Sequence, residues 1–220
     1  MTRRPRQWTI LDSSNEETPT AETAAPKKSK NLRRTLRALR LNRMIYSIGH
    51  STRSIDDFIA LLQAHQVTRL ADIRSIPRSR RHPHFSIDSL SVSLPAAGVA
   101  YRHMPGLGGL RKPRPDSGNS AWRHPSFRGY ADYMQTPAFG ASLASLIEYA
   151  SDAGGAMMCA EAVWWRCHRQ LVADALVARG ITVRHIASAT SAAAHELTEF
   201  ARVVEGKVTY PGLYNPESRV

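Results

Sequence analysis

The sequence has little of three things: cysteine, uninterrupted hydrophobicity and negative charge. Its two cysteines are too few for a disulfide framework. No apolar run approaches the roughly 18 to 20 residues of a membrane span. The N-terminus lacks the apolar segment of a secretory signal, and Asp12, Glu16, Glu17 and Glu22 argue against an organellar transit peptide. The expected setting is therefore the cytoplasm, with both thiols reduced and no membrane partner. Acids number 18 against 30 Lys and Arg. Residues 1–43 hold eleven of those bases and four acids, so the basicity is largely a property of the leader. Such charge favours nucleic acid or anionic surfaces without specifying a fold.

Residues 1–30 are polar and without periodicity, which predicts disorder. Residues 31–43 could form a short basic helix with Leu32, Leu36 and Leu39 on one side. The expected division is a disordered basic leader over 1–43, one α/β domain over 44–212 and a tail over 213–220. Because Met44 directly precedes the first strand, a start at Met44 with a mis-assigned leader is a further expectation.

From Met44 onward, strand and helix signals alternate. Met44 to Ile48 is a strand running into Gly49-His50-Ser51-Thr52. Ser54 opens a helix with Ile55, Phe58, Ile59 and Leu62 at helical spacing, to about Gln66. Val67 to Ser75 is the second strand, completing a βαβ unit whose strands should be parallel. Asp72 inside a buried strand needs a partner, and Arg74, two residues on and on the same face, is the nearest. Ser86 to Ala97 is a weaker helix, interrupted or ended by Pro95, and Val99 to His103 the third strand. Residues 110–127 read as a long surface loop; Arg123, His124, Phe127, Arg128, Tyr130 and Tyr133 make an aromatic-basic segment able to cover a pocket. Pro137 to Ala150 is a helix with Phe139, Leu143, Leu146 and Ile147 inward. Ala156 to Cys159, a helix opening near Cys167, and Ile181 to Ile186 follow. A small hairpin turns at Glu205-Gly206.

This order predicts an α/β domain: a mostly parallel sheet of about five strands with helices on both faces and a small C-terminal hairpin. Such sheets bind ligands at the carboxyl ends of their strands. Four polar or glycine-rich segments fall there: GHST, DIRSIPRSRRHPH, RHMPGLGG and CAEAVWWRCHR. The last is the richest. Glu161 is a candidate acid/base beside His168 and the tryptophans, since an apolar wall raises a carboxylate pKa. His50, Asp72 and Cys159 complete the catalytic candidates. Arg74, Arg78, Arg80, Arg81 and Arg169 are candidate anion ligands, the last on a first helical turn. Gly108 and Gly109 allow close backbone approach, and Trp165 or Trp164 could stack a base. Cys167 near a helix N-terminus has surroundings that favour a thiolate. The spacing from Cys159 to Arg166 and Arg169 is too long for a compact phosphatase cradle. A zinc site is disfavoured because no CxxC pair is present and adjacent Cys-His ligands are awkward within a helix. No metal and no other cofactor is predicted.

The segments IYSIGHSTRSIDDF, LADIRSIPRSRRHPHF, YRHMPGLGGLRKPR, FRGYADYM, CAEAVWWRCHRQLVADAL and LTEFARVVEGKVTYPG resemble, in order, the bacterial and archaeal domain-of-unknown-function 488 family. The resemblance runs from about Ile45 to Gly212, excludes the leader, and implies an α/β domain without supplying a reaction. The leading expectation is an enzyme of hydrolase or transferase type acting on a phosphate-bearing substrate, nucleotide or nucleic acid. The alternatives are a non-catalytic nucleic-acid-binding module and a thiol-based redox or metal sensor.

Overall fold

The computed structural model describes residues 43–78, 81–152 and 154–212. The expectations for the leader, for Arg80 and for the tail from residue 213 lie outside the described residues. Six strands form one sheet: β1 (Met44–Gly49), β2 (Arg69–Asp72), β3 (Ala100–His103), β4 (Gly155–Cys159), β5 (Thr182–Ser188) and β6 (Ser191–Ala194). Their spatial order is β3-β2-β4-β1-β5-β6. The first five are parallel, and β6 runs antiparallel to β5 along the edge. Five α-helices connect them: α1 (Ile55–Ala64), α2 (Ile87–Ala96), α3 (Pro125–Tyr133), α4 (Pro137–Ala150) and α5 (Arg169–Val177). A separate two-stranded hairpin, β7 (Arg202–Val204) and β8 (Lys207–Thr209), closes the described chain.

Alternation along the strands sends side chains to two cores. Ile48, Leu70, Ala156 and Met158 pack with Phe58 and Leu62 of α1 and Leu90 and Leu94 of α2. Ile45, Ala71, Met157 and Val183 pack with Phe139, Leu143 and Leu146 of α4 and Leu171, Val172 and Leu176 of α5. Both faces of the sheet are thus covered, as its near-continuous apolar strands require. Ser54 caps α1 by accepting the Asp57 N–H, and Thr136 caps α4 by accepting that of Phe139, which fixes where these helices begin.

Two local expectations change. The second strand stops at Asp72 rather than Ser75, because the Asp72 carboxylate accepts the Arg74 backbone N–H and turns the chain. The loop expected through residue 127 gives way to α3 at Pro125: His124 caps it, and Pro125 takes the first-turn position where a missing N–H costs nothing. The inner face of α4 carries Phe139, Leu143 and Leu146 as expected, with Ile147 partly buried against the same core and Ala150 added to it.

Candidate functional site

A cavity of about 700 Å³ opens at the carboxyl ends of β2, β3 and β4. Arg74, Ser75 and Ile76 follow β2; Gly109 and Leu110 follow β3; Cys159, Ala160 and Glu161 follow β4. Trp165 and Arg166, from a short helical turn, join Cys167 and His168 at the entrance to α5. His124, Ser126, Phe127 and Tyr130, around and within α3, form the facing wall. Three of the four strand-end segments therefore meet in one cavity. The fourth, after β1, supports it from behind: a Cβ on Gly49 would overlap the Glu161 carbonyl, so only glycine lets β1 and the β4 turn close together.

The floor is a cluster of Cys159, Cys167 and His168. One donor atom from each lies within 4.8 Å of the others. His168 donates from Nε2 to the Ile73 carbonyl at 3.0 Å. A neutral imidazole so bonded presents the lone pair of Nδ1, and that atom faces Cys159 Sγ at 3.9 Å. Burial lowers the His168 pKa and keeps the ring neutral. Cys159 is 5% exposed. Its pKa falls to about 7, chiefly through a hydrogen bond from Cys167, with help from the Glu161 N–H, the Arg169 charge and the Ala160 N–H, against burial. The proton that Cys167 shares in that bond, together with burial, pushes Cys167 far above the ordinary thiol range. The two thiols thus share one negative charge once pH rises through about 7.

Arg169 explains where that charge is balanced. It is 1% exposed and does not line the cavity, in contrast to the anion-facing position expected from its place in the first helical turn. Its backbone N–H and Nε donate to Cys167 Sγ at 3.4 and 3.2 Å. The rest of the fork reaches Ser47 Oγ and the carbonyls of Glu161 and Ala162. No carboxylate among the described residues forms an ion pair with it. A buried cation without a carboxylate needs another anion, and the thiol pair is the group beside it.

Asp72 and Arg74 do pair. Nε donates to Asp72 Oδ1 at 2.8 Å and NH2 to Oδ2 at 2.5 Å, and the Tyr101 hydroxyl donates to the same carboxylate at 2.8 Å. Arg74 NH1 donates to His50 Nε2 at 3.2 Å, while His50 Nδ1 donates to the Ser51 carbonyl at 2.8 Å. Burial lowers the His50 pKa to about 4, so the ring is a neutral prop stacked 4.2 Å from the Phe85 ring. His50 and Asp72 stand behind the cavity, and only Arg74 of this trio reaches its wall. Arg78 and Arg81 are exposed outside it. Gly109 borders the imidazole, where a Cβ would come within 3.1 Å of His168 Nδ1; Gly108 instead packs against the Ser75 backbone. At the rim, Trp165 is 55% and Leu110 84% exposed, the latter at a φ of 61°.

Beside the cavity lies a polar network that sequence reasoning missed. Asp174 accepts from His195 Nε2 at 2.9 Å and from the hydroxyls of Thr198 and Tyr210 at 2.7 Å. His195 Nδ1 in turn meets His185 Nε2 at 3.0 Å. Trp164 stacks on His185 at 4.2 Å, with the two rings 2° from parallel. No spacing in the sequence joins these positions; the carboxylate inside the apolar run of α5 was the available signal.

A family model described as "Domain of unknown function DUF488" matches residues 54–176. The chain belongs to this family. The DUF488 match spans α1 to the last turns of α5, so Arg74, Gly109, Cys159, Glu161, Cys167, His168 and Arg169 all fall inside it. No curated protein and no solved structure matches the chain. Among the described residues, no helix is long and apolar enough to cross a membrane.

Proposed function

We propose that the cavity is the active site of a thiol-dependent enzyme of hydrolase or transferase type acting on a nucleotide or on nucleic acid. The observation that carries this reading is the bond from His168 Nε2 to the Ile73 carbonyl, which leaves Nδ1 as a base facing Cys159 Sγ. A nucleophile, its base and a group orienting the base are the parts that covalent catalysis needs. The Cys159 thiolate attacks an electrophilic centre of the substrate, and the departing group takes the proton that Cys167 holds in its bond to Cys159. Water, giving its proton to His168 Nδ1, or an acceptor then releases the thio-adduct, and that proton returns to Cys167. The Ala160 and Glu161 N–H groups, which stabilise the thiolate, are placed to steady charge that develops next to it.

The walls suit a planar, anionic ligand. Phe127 and Trp165 offer aromatic surface and Arg166 a guanidinium group, while Arg74 adds its charge from within the wall, its nitrogens held by Asp72, His50 and the Phe85 carbonyl; such stacking is worth about 1 to 3 kcal/mol per base. The volume lies within the range of small-molecule sites. Glu161, exposed at the lip, is positioned to exchange protons with water. The test combines a panel of nucleotides and short oligonucleotides with the Cys159→Ser variant. Binding is expected to persist while turnover and the covalent adduct seen by mass spectrometry disappear. Full turnover by Cys159→Ser would sink the mechanism.

A further inference from the structure

We infer that Cys159, Cys167 and His168 form a zinc site whose fourth coordination position faces the cavity, and that the bound ion holds the thiol in a resting form. Among the described residues these three offer donor atoms close enough to share an ion. Zinc bonds of about 2.3 Å to sulfur and about 2.0 to 2.1 Å to nitrogen, at tetrahedral angles, put neighbouring donors roughly 3.6 to 3.8 Å apart. Cys159 Sγ and His168 Nδ1 are 3.9 Å apart, and the widest separation in the trio stays within 4.8 Å. Small side-chain rotations close that difference.

The surroundings are those of a metal ligand set. His168 presents the lone pair of Nδ1 inward because Nε2 donates to the Ile73 carbonyl at 3.0 Å, the outer bond that metal-bound histidines characteristically make. Cys167 Sγ receives two N–H bonds from Arg169, as thiolate ligands commonly do. The objection that neighbouring Cys and His cannot both ligate from a helix does not apply. Cys167 is extended, at φ −141° and ψ 168°, and His168 is the residue that caps α5, so the chain bends between them and both donors turn to Cys159. All three line the cavity, which leaves one coordination position for water or a ligand, the pattern of three-ligand rather than closed sites.

On binding, whatever protons the two thiols still hold pass to solvent, one per ion once the first has left at about pH 7, and two thiolates neutralise the ion's charge. The sulfur lone pair of Cys159 and the Nδ1 lone pair of His168 are then committed to the metal. Zinc occupancy and thiolate attack are therefore alternative uses of the same atoms. The site stands on the placement of the donors alone; the resting role rests on the catalytic reading, so the site and that reading can each fail without the other.

The full chain, freed of metal, is titrated with Zn²⁺ against a chromophoric chelator and with Co²⁺ by absorption. One ion per chain is expected, with thiolate-to-cobalt charge transfer and four-coordinate ligand-field bands. Cys159→Ser, Cys167→Ser and His168→Ala should each lose more than the roughly 10- to 100-fold that outer-shell changes cost. Zinc should also block iodoacetamide labelling of Cys159, and chelator should restore it. Absence of the charge-transfer band in the unaltered protein, or equal affinity in all variants, overturns the site. Zinc that binds but leaves labelling unaffected overturns the resting role. Turnover that requires zinc would also overturn that role and, separately, would remove the thiolate mechanism while the site itself stands.

Discussion

Replacing Arg169 with Met tests the electrostatic core of the site. Its guanidinium lies 3.2 Å from Cys167 Sγ and is fully enclosed. A unit pair about 4 Å apart attracts by about 4 kcal/mol at an effective dielectric of roughly 20, equivalent to roughly three pKa units. Water entering the cavity weakens this, and the Arg169 charge helps less than the Cys167 hydrogen bond and the Glu161 N–H, so the midpoint of the thiol pair, at about 7, should move up by only a part of that. The bonds to Ser47, Cys167 and the Glu161 and Ala162 carbonyls also go. Loss of such a buried charged group costs roughly 3 to 5 kcal/mol, which a domain of ordinary stability can survive. The assay is the pH profile of iodoacetamide labelling in chelator-treated protein, read peptide by peptide, with circular dichroism confirming the fold. Arg169→Lys keeps the charge without the fork and should sit between the two. A folded Arg169→Met protein whose labelling midpoint stays near that of the unaltered chain would refute the view that this buried cation sustains the thiolate.

Two further outcomes follow from the groups behind the cavity. Asp72→Asn leaves Arg74 with an uncompensated buried charge and should destabilise the protein by roughly 3 to 5 kcal/mol in denaturant titration. The Tyr101 phenol, raised by burial and then by the Asp72 charge, should titrate lower in that variant by ultraviolet absorbance; an unmoved phenol would contradict the contact. His50 is buried neutral, with its pKa lowered to about 4 mainly by burial. Its contribution to stability is present above its ordinary value near 6.5 and is lost as pH falls from there towards 4. The denaturation midpoint should drop across that window, less steeply in His50→Gln; equal slopes in the two proteins would rule out His50 as the cause.

Much of this could be read along the chain. Helical spacing at Phe58, Leu62, Phe139, Leu143 and Leu146 placed two helices, and alternation with buried strands implied the two-faced sheet. The Asp72 and Arg74 partnership followed from burial alone, because an enclosed carboxylate requires a counter-charge. The edge strand β6 was missed: Ser191–Ala194 is a run of small residues without alternation, and its pairing with β5 is a tertiary fact. Helix α3 was hidden by the Arg- and Pro-rich stretch before it, although His124-Pro125 is a start signal. The sharpest difference concerns Arg169. Its position at a helix entrance reads equally as an anion ligand or an internal brace, and only the packing of Gly49 against the β4 turn shows that the fork faces inward.

The sheet order has a consequence for how the protein comes to life. β1 pairs with β4 through residues such as Gly49 and Cys159, which lie 110 positions apart in sequence. Closing so long a loop is entropically demanding and slow compared with forming local helices. The central strands, and with them the cavity floor, can assemble only after most of the chain has been synthesised. Until then both sulfurs are ordinary thiols without their cation, their imidazole or their backbone donors. The lowered pKa of Cys159 accordingly belongs to the completed fold, and under the proposed function a newly made chain would gain its reactivity late.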